Sequence, residues 1–267
     1  SFLFCAFNEE AVIRRKIDNL IALKELRPTA EFFMYDDNSN DDTARIVEKE
    51  APFVRIVHGA GRTGKAHGMK LMADMARGEA LVFTDANVMF DPEGLEALEN
   101  AYKDPNVGGL CGSLIYLSDE DTTTANVGSR YWLMEEKLKD LESLTGNVMG
   151  ADGSIFSIRR ELYPKFPDTV LDDLTVSMSV IFQGHRLIKV NEVKAYEKLV
   201  TSKSDEFARK VRISTRAFHT HQQFLNSLKE MHPIDKFKYH SHRTIRWFGG
   251  AFLFFGAASL VAGIAVY

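Results

Sequence analysis

Asp36 and Asp37 stand side by side directly after an apolar run, Phe32–Tyr35. Two adjacent carboxylates repel each other unless a ligand or an ion uses them. Asp85-Ala86-Asn87, after Leu81–Thr84, sets two oxygen-bearing side chains on the same side of the chain. That spacing suits a divalent cation bridging a diphosphate, because hard cations take oxygen ligands. Lys65 closes Gly59-Ala60-Gly61-Arg62-Thr63-Gly64-Lys65, which follows Val54–Val57, and its ammonium offers a contact to phosphate or base. Asn8-Glu9-Glu10 follows Phe2–Phe7 in the same way. Carboxylates, amides, glycines and a lysine in these places describe a nucleotide site. One carboxylate of the Asp36-Asp37 pair would accept the imide N–H of a uracil.

The elements that must position these groups are legible in the same stretch. A segment of helical spacing follows each motif, so the chain reads strand, motif, helix, four times over. Such alternation implies a parallel sheet with right-handed crossovers. In sheets of this kind ligands bind outside the carboxyl ends of the strands, which places all four motifs on one rim.

Each motif also has a plainer structural reading. Asn40 or Asp41 can cap the helix that follows, although this leaves Asp36 and Asp37 unexplained. Gly59-x4-Gly64-Lys65 matches most of a P-loop in the right context, and Leu81–Asp85 resembles the acidic strand such proteins use for magnesium. Position 66 is Ala, however, so the hydroxyl that would ligate the ion is absent. A simple glycine turn before a helix over 65–77 is the other option. Asp85 or Asn87 would serve equally as a cap for the helix after Asp91-Pro92.

Further along, Tyr131–Leu144 is amphipathic and leads to Gly150-Ala151-Asp152-Gly153. The glycines suggest close backbone approach to a sugar or acceptor; a tight turn through Asp152 explains them nearly as well. Leu171-Asp172-Asp173-Leu174 opens a helix over 174–182. Asp172 suits the helix dipole, and Asp173 would either do the same or point into the cleft as a general base. Arg209, Lys210, Arg212 and Arg216 form a cationic stripe suited to phosphate or a membrane surface. The HxH pairs His219/His221 and His240/His242 lack acidic partners at ligand spacing and read as interfacial residues, not a zinc site. Cys5 and Cys111 sit in apolar runs with no metal or redox spacing, as reduced core residues do.

At 267 residues and 45% hydrophobic content the chain can bury a full core. Ten Lys/Arg against four Asp/Glu after residue 200 leave that segment at +6, so residues 1–200 carry −10 of the formal net −4. An acidic body argues against nucleic acid as partner, and a basic segment before an apolar one points to an anionic membrane surface. The apolar segment, Ile245–Tyr267, is long enough at about 1.5 Å per residue to cross a hydrocarbon core of roughly 30 Å. Trp247 and Tyr267 lie near its ends, where aromatic side chains prefer the interface. A buried core helix is the alternative. The expected organisation is a catalytic body over 1–200, basic interfacial helices over 201–244 and a transmembrane helix over 245–267. The basic flank Lys236–Arg246 would put the body on the cytoplasmic side.

Taken together, FNEE, DDNSNDDT, GRTGKAHGMK, TDAN, GADGSIFSIRREL, LDDLTVSMSVIFQGHRL and RKVRISTR, in this order over about residues 2–216, resemble glycosyltransferase family 2. The resemblance implies an inverting enzyme of the GT-A fold: α/β, with a Rossmann-like, mostly parallel sheet flanked by helices, followed by C-terminal interfacial and transmembrane helices. It implies a UDP-sugar donor, Mg2+ or Mn2+, and a glycan or lipid-linked acceptor in cell-envelope or extracellular polysaccharide synthesis. By position, Phe7, Asn8, Glu9 and Asp37 would line the uridine pocket with Lys65 nearby. Asp85 and Asn87 would hold the donor and the metal-bound diphosphate, Asp173 would be the catalytic base, and Arg209 and Arg212 would meet the diphosphate. The chain departs from the family in reading DxN where DxD is usual. It also lacks QxxRW, since Gln222-Gln223 is followed by Phe224-Leu225. From the residues alone, a P-loop-like NTPase, a nucleotidyltransferase and a non-catalytic nucleotide-binding membrane protein remain open.

Overall fold

A computed structural model gives the fold and describes residues 1–117, 123–198 and 203–266, without the side chains of 123–131, 203–210, 212, 247, 262 and 264–266. The amino-terminal half alternates β1 (Phe2–Ala6), α1 (Glu10–Leu26), β2 (Phe32–Asp36), α2 (Thr43–Glu50), β3 (Val54–His58), α3 (Lys65–Met75) and β4 (Ala80–Asp85). A short β5 (Val88–Phe90) and α4 (Gly94–Ala101) follow, then β6 (Val107–Leu117), α5 (Thr123–Leu144), β7 (Ile155–Arg159), α6 (Asp172–Phe182) and β8 (Arg186–Lys198). One eight-stranded sheet results, in the order β3-β2-β1-β4-β7-β6-β8-β5.

Strands β3, β2, β1 and β4 are parallel, as the four repeats predict. β1, β2 and β4 are largely apolar on both faces because both faces are covered, whereas β3, at the sheet edge, carries exposed Arg55 and His58. Phe2, Phe4, Phe32 and Met34 join one core layer, while Leu3, Phe33, Tyr35 and the α3 residues Met69 and Met72 join the other. α1 delivers Ile13, Ile17, Leu20 and Leu23 to the first layer, a single apolar stripe at helical spacing. Beyond β4 the sheet turns mixed: β7 runs antiparallel between β4 and β6. β8 is parallel to β6 and pairs antiparallel with β5. The carboxyl end of β8 thereby returns to the β4–β5 turn.

The carboxy-terminal part comprises α7 (Lys203–Glu230), α8 (Pro233–Tyr239), a π-helical turn over His240–Thr244, α9 (Ile245–Trp247) and α10 (Gly249–Val266). Phe224, Leu228, Met231 and Tyr239 pack with Met149, Leu174 and Met178, so α7 and α8 are seated on α6. The expected continuous helix over 245–267 is interrupted at Phe248, next to Gly249-Gly250, where glycines weaken helical continuity. Among the described residues no single helix is long and apolar enough to cross a membrane; Pro233–Thr244 and Gly249–Val261 reach that measure together, bent by 67°. The buried-core alternative for this segment does not hold. Leu253 and Phe254 are 77% and 70% exposed, and Phe252, Phe255, Leu260 and Val261 are exposed as well.

Candidate active site

The loops after β1 and β2 are stitched together by their own polar residues. Asn8 and Asn38 take positive φ values, 55° and 63°, which asparagine tolerates better than most side chains. Ser39 Oγ accepts the Asn8 N–H at 3.1 Å, and Asn8 Oδ1 accepts the Asn40 N–H at 2.8 Å. Thr43 Oγ1 accepts the Glu9 N–H at 2.8 Å. Asp41 accepts from the Glu10 N–H at 3.1 Å and from the Thr43 N–H and hydroxyl at 3.0 and 2.6 Å.

Asp36 and Asp37 are buried yet partnered within the protein. Asp36 accepts the Ser39 N–H at 3.1 Å and lies 3.5 Å from His58 Nδ1. Asp37 Oδ1 accepts the Thr63 and Gly64 N–H groups at 2.8 and 2.9 Å, and its Oδ2 takes Arg62 Nε at 3.1 Å. The Arg62 guanidinium in turn lies 3.2 Å over the Phe7 ring. The repulsion between the two carboxylates is therefore relieved without a ligand, by the backbone amides and the arginine of the Gly61–Gly64 loop. Gly64, at φ 89°, turns those amides toward Asp37 just before α3 begins.

The centre of the rim is a cluster of three carboxylates around Lys65. Lys65 Nζ donates to Asp85 Oδ1 at 2.6 Å and to the Gly153 carbonyl at 3.5 Å. Burial works against its charge, but Asp85, Asp172 and Asp173 outweigh burial and hold the lysine protonated. Asp172 and Asp173 both lie in the first turn of α6. Burial first, and then the neighbouring Asp172, pushes the Asp173 carboxyl up to about 7; Lys65 and the Leu174 N–H, at 2.7 Å from Oδ1, pull the other way. A Cβ at Gly153 would lie 2.9 Å from Lys65 Nζ and 3.3 Å from Asp173 Oδ2. Glycine there leaves open the space into which both charges reach. Glu9 is also raised, by burial and then by Asp85 and Asp41.

Two residues outside the motifs fix the Asp85–Asn87 turn. Lys16, fully buried on α1, donates to the Val88 carbonyl at 2.6 Å and to Thr84 Oγ1 at 3.2 Å. Burial lowers its pKa to about 7, with Asp85 opposing. Asn87 Nδ2 donates to Glu197 Oε1 on β8 at 2.9 Å. The signal for Lys16 was in the sequence, since it falls on the Ile13–Ile17–Leu20 stripe; nothing local announces Glu197. A carboxylate and an amide oxygen at Asp85 and Asn87 fit a hard divalent cation. Among the described residues no group of three or more His, Cys, Asp or Glu could hold a metal alone, so phosphate oxygens would complete its shell.

The Gly150–Gly153 loop is clamped from its other side. Ser177 Oγ accepts the Ala151 N–H at 2.9 Å and donates to the Asp173 carbonyl at 2.6 Å. Lys139 on α5 pairs with Asp152 and with Glu136. Arg243 donates to the Met149 and Gly150 carbonyls at 2.6 and 2.8 Å, and Glu142 Oε2 accepts the Met149 N–H at 2.9 Å. His242 lies between Glu142, at 2.6 Å, and Glu135, at 3.2 Å, while Arg246 also pairs with Glu135. His242 is thus a buried ion-network residue instead of an interfacial one; its acidic partners come from α5, about a hundred residues upstream. Arg209 and Arg212 lie on α7, and their side chains fall outside the described residues.

The sequence profile of Glycosyl transferase family 2 matches residues 1–166. No curated protein sequence matches the chain. Among solved structures, the mannosyltransferase PcManGT from Pyrobaculum calidifontis, in complex with GDP-Man and Mn2+, is similar over 99% of this chain and 79% of its own, with a TM-score of 0.70 and 22% identity. GalNAc-T7 with UDP, GalNAc and Mn2+ is similar over 74% of this chain and 43% of its own, with a TM-score of 0.56 and 15% identity. At these identities both likenesses speak to the fold, which is the GT-A arrangement expected from the motif order.

Proposed function

The chain belongs to glycosyltransferase family 2, and from that premise we propose that it is a membrane-anchored inverting enzyme transferring a sugar from a UDP-sugar to a glycan or lipid-linked acceptor of envelope or extracellular polysaccharide. The observation that carries the catalytic part is Asp173, raised by burial and by Asp172 to about 7 beside the gap at Gly153. A general base works best when its pKa lies near the operating pH. Asp173 would take the proton from an acceptor hydroxyl as the oxygen attacks the anomeric carbon. The bond from that carbon to the diphosphate breaks on the opposite face, and its electron pair leaves with UDP.

The diphosphate would meet Lys65, which is held protonated, with Arg209 and Arg212 assigned to the same anion. Asp85 and Asn87 would hold Mg2+ or Mn2+, which when bound neutralises charge on the leaving group. The Mn2+ in the two similar structures supports this assignment. Phe7, Asn8, Glu9 and Asp37 would line the base pocket, with Arg62 turned aside from the Phe7 face it covers. A second donor reading is GDP, which the mannosyltransferase carries as GDP-Man, because guanine also bears a ring N–H next to a carbonyl.

The anchoring part rests on α10. A helix exposed and apolar all round has no stable place in water, and the basic flank before it suits an anionic cytoplasmic leaflet. In this reading the body is 1–200, the interfacial segment 201–244 and the anchor 245–267. Nucleotide release from UDP-, GDP-, dTDP- and CMP-sugars and phosphate release from ATP, with Mn2+, Mg2+ or EDTA, test the assignment in detergent. Metal-dependent UDP release is expected; GDP release alone would reassign the base pocket, and ATP hydrolysis alone would overturn the proposal.

A further inference from the structure

Glu197 lies near the carboxyl end of β8, opposite Val88 in the antiparallel β5–β8 pair. That register brings a carboxylate from 110 residues downstream against the Asp85-Ala86-Asn87 turn, where Asn87 Nδ2 donates to it at 2.9 Å. An amide that spends its N–H on a carboxylate keeps only its carbonyl oxygen for an ion. The turn itself then offers a single carboxylate, Asp85, and the Lys65 ammonium already holds one of its oxygens at 2.6 Å. Affinity for a hard cation follows the number of charged oxygen ligands, so this turn alone is a poor site.

We propose that Glu197 supplies the negative charge that Asn87 lacks, as an oxygen donor to the cation accompanying the nucleotide diphosphate. This rests on the reading of Asp85 and Asn87 as the metal position. Two carboxylates, Asp85 and Glu197, then carry the charge that a D-x-D triplet would carry within three residues, and the second arrives across the sheet. Asn87 has two tasks: its Nδ2 orients Glu197, and its carbonyl oxygen faces the same ion as a neutral ligand. The plainer alternative is that Glu197 merely fastens β8 to the turn by accepting from Asn87. The two differ in charge at the turn, since holding Asn87 needs only an oxygen acceptor and ion binding needs an anion.

Glu197→Gln separates them, because the glutamine oxygen still accepts from Asn87 while the charge is gone. Mn2+ affinity of the full chain in detergent, with UDP present, would be read from the loss of the free-ion EPR signal. The variants compared are wild type, E197Q, the E197Q/N87D pair and D85N, with melting temperature measured for each. E197Q is expected to weaken Mn2+ by at least about tenfold, and N87D in that background to restore most of the loss. Wild-type Mn2+ affinity in E197Q, alongside a D85N that binds poorly, would overturn the role of Glu197 and leave the metal position standing. A loss in E197Q that N87D does not repair would overturn the charge account. No Mn2+ uptake by the wild type with UDP would overturn both the metal position and the proposal.

Discussion

Two clusters of charge touch the Met149–Gly153 stretch of the chain, and they are balanced differently. In the first, Asp85, Asp172 and Asp173 converge on one ammonium, Lys65, and burial, followed by the neighbouring Asp172, raises the Asp173 carboxyl to about 7. In the second, Glu135 and Glu142 face His242 and Arg246, with Arg243 nearby, and Glu135 is held down at about 2, burial being outweighed by His242 and the two arginines. The balanced cluster fastens the π-helical turn and α9 to α5. The unbalanced one sits at the mouth of the sheet, where a proton can be taken up and an anionic ligand can be met by Lys65. A surplus of one sign marks the place for chemistry, and compensation marks the place for structure.

The signs of the two pH dependences follow from that difference. Glu135, depressed from 4.5 to about 2, contributes stability that is present above 4.5 and is lost as pH falls from 4.5 toward 2. Asp173, raised from 3.8 to about 7, costs stability where it is ionised, and its basic form is available only as pH rises through about 7.

The comparison breaks most visibly at Asp173. Asp173→Asn removes the base and should cost about 10²–10⁴ in transfer rate, with nucleotide affinity nearly unchanged by calorimetry. An equal loss of binding and turnover would move Asp173 into the donor pocket. Glu142→Gln attacks the balanced cluster. It puts a neutral amide where His242 and the Met149 N–H had a buried carboxylate, leaving Glu135 as the carboxylate beside His242, at a cost of about 1–3 kcal/mol in unfolding free energy. Turnover per folded molecule should stay within a few-fold, and a turnover loss without a stability loss would mean that this cluster belongs to the catalytic machinery.

What was legible in the sequence divides along the same line. β1, β2 and β4 announce themselves because strands buried on both faces are near-continuous apolar runs, and the groups at their ends follow at once. β8 does not, because RLIKVNEVKAYEK alternates with charged residues and resembles a surface segment. Its return to the β4–β5 turn is a matter of pairing across the sheet, so Glu197 stayed invisible. Lys16 could have been found, as a lysine on an otherwise apolar stripe. The His242 network could not: histidine spacing says nothing about carboxylates a hundred residues away. The Asp36-Asp37 pair adds that backbone amides of a neighbouring loop give Asp37 partners within the protein, a contact no local spacing announces.

The central claim is that burial together with the neighbouring Asp172 charge sets Asp173 as the base. Its most direct test is the pH dependence of sugar transfer at saturating donor, for the wild type and for Asp172→Asn. The wild type should gain rate with rising pH through a single limb near 7. Removing the neighbouring charge should move that limb to lower pH. A wild-type profile flat through 7, or a limb that stays in place in Asp172→Asn, would contradict the account.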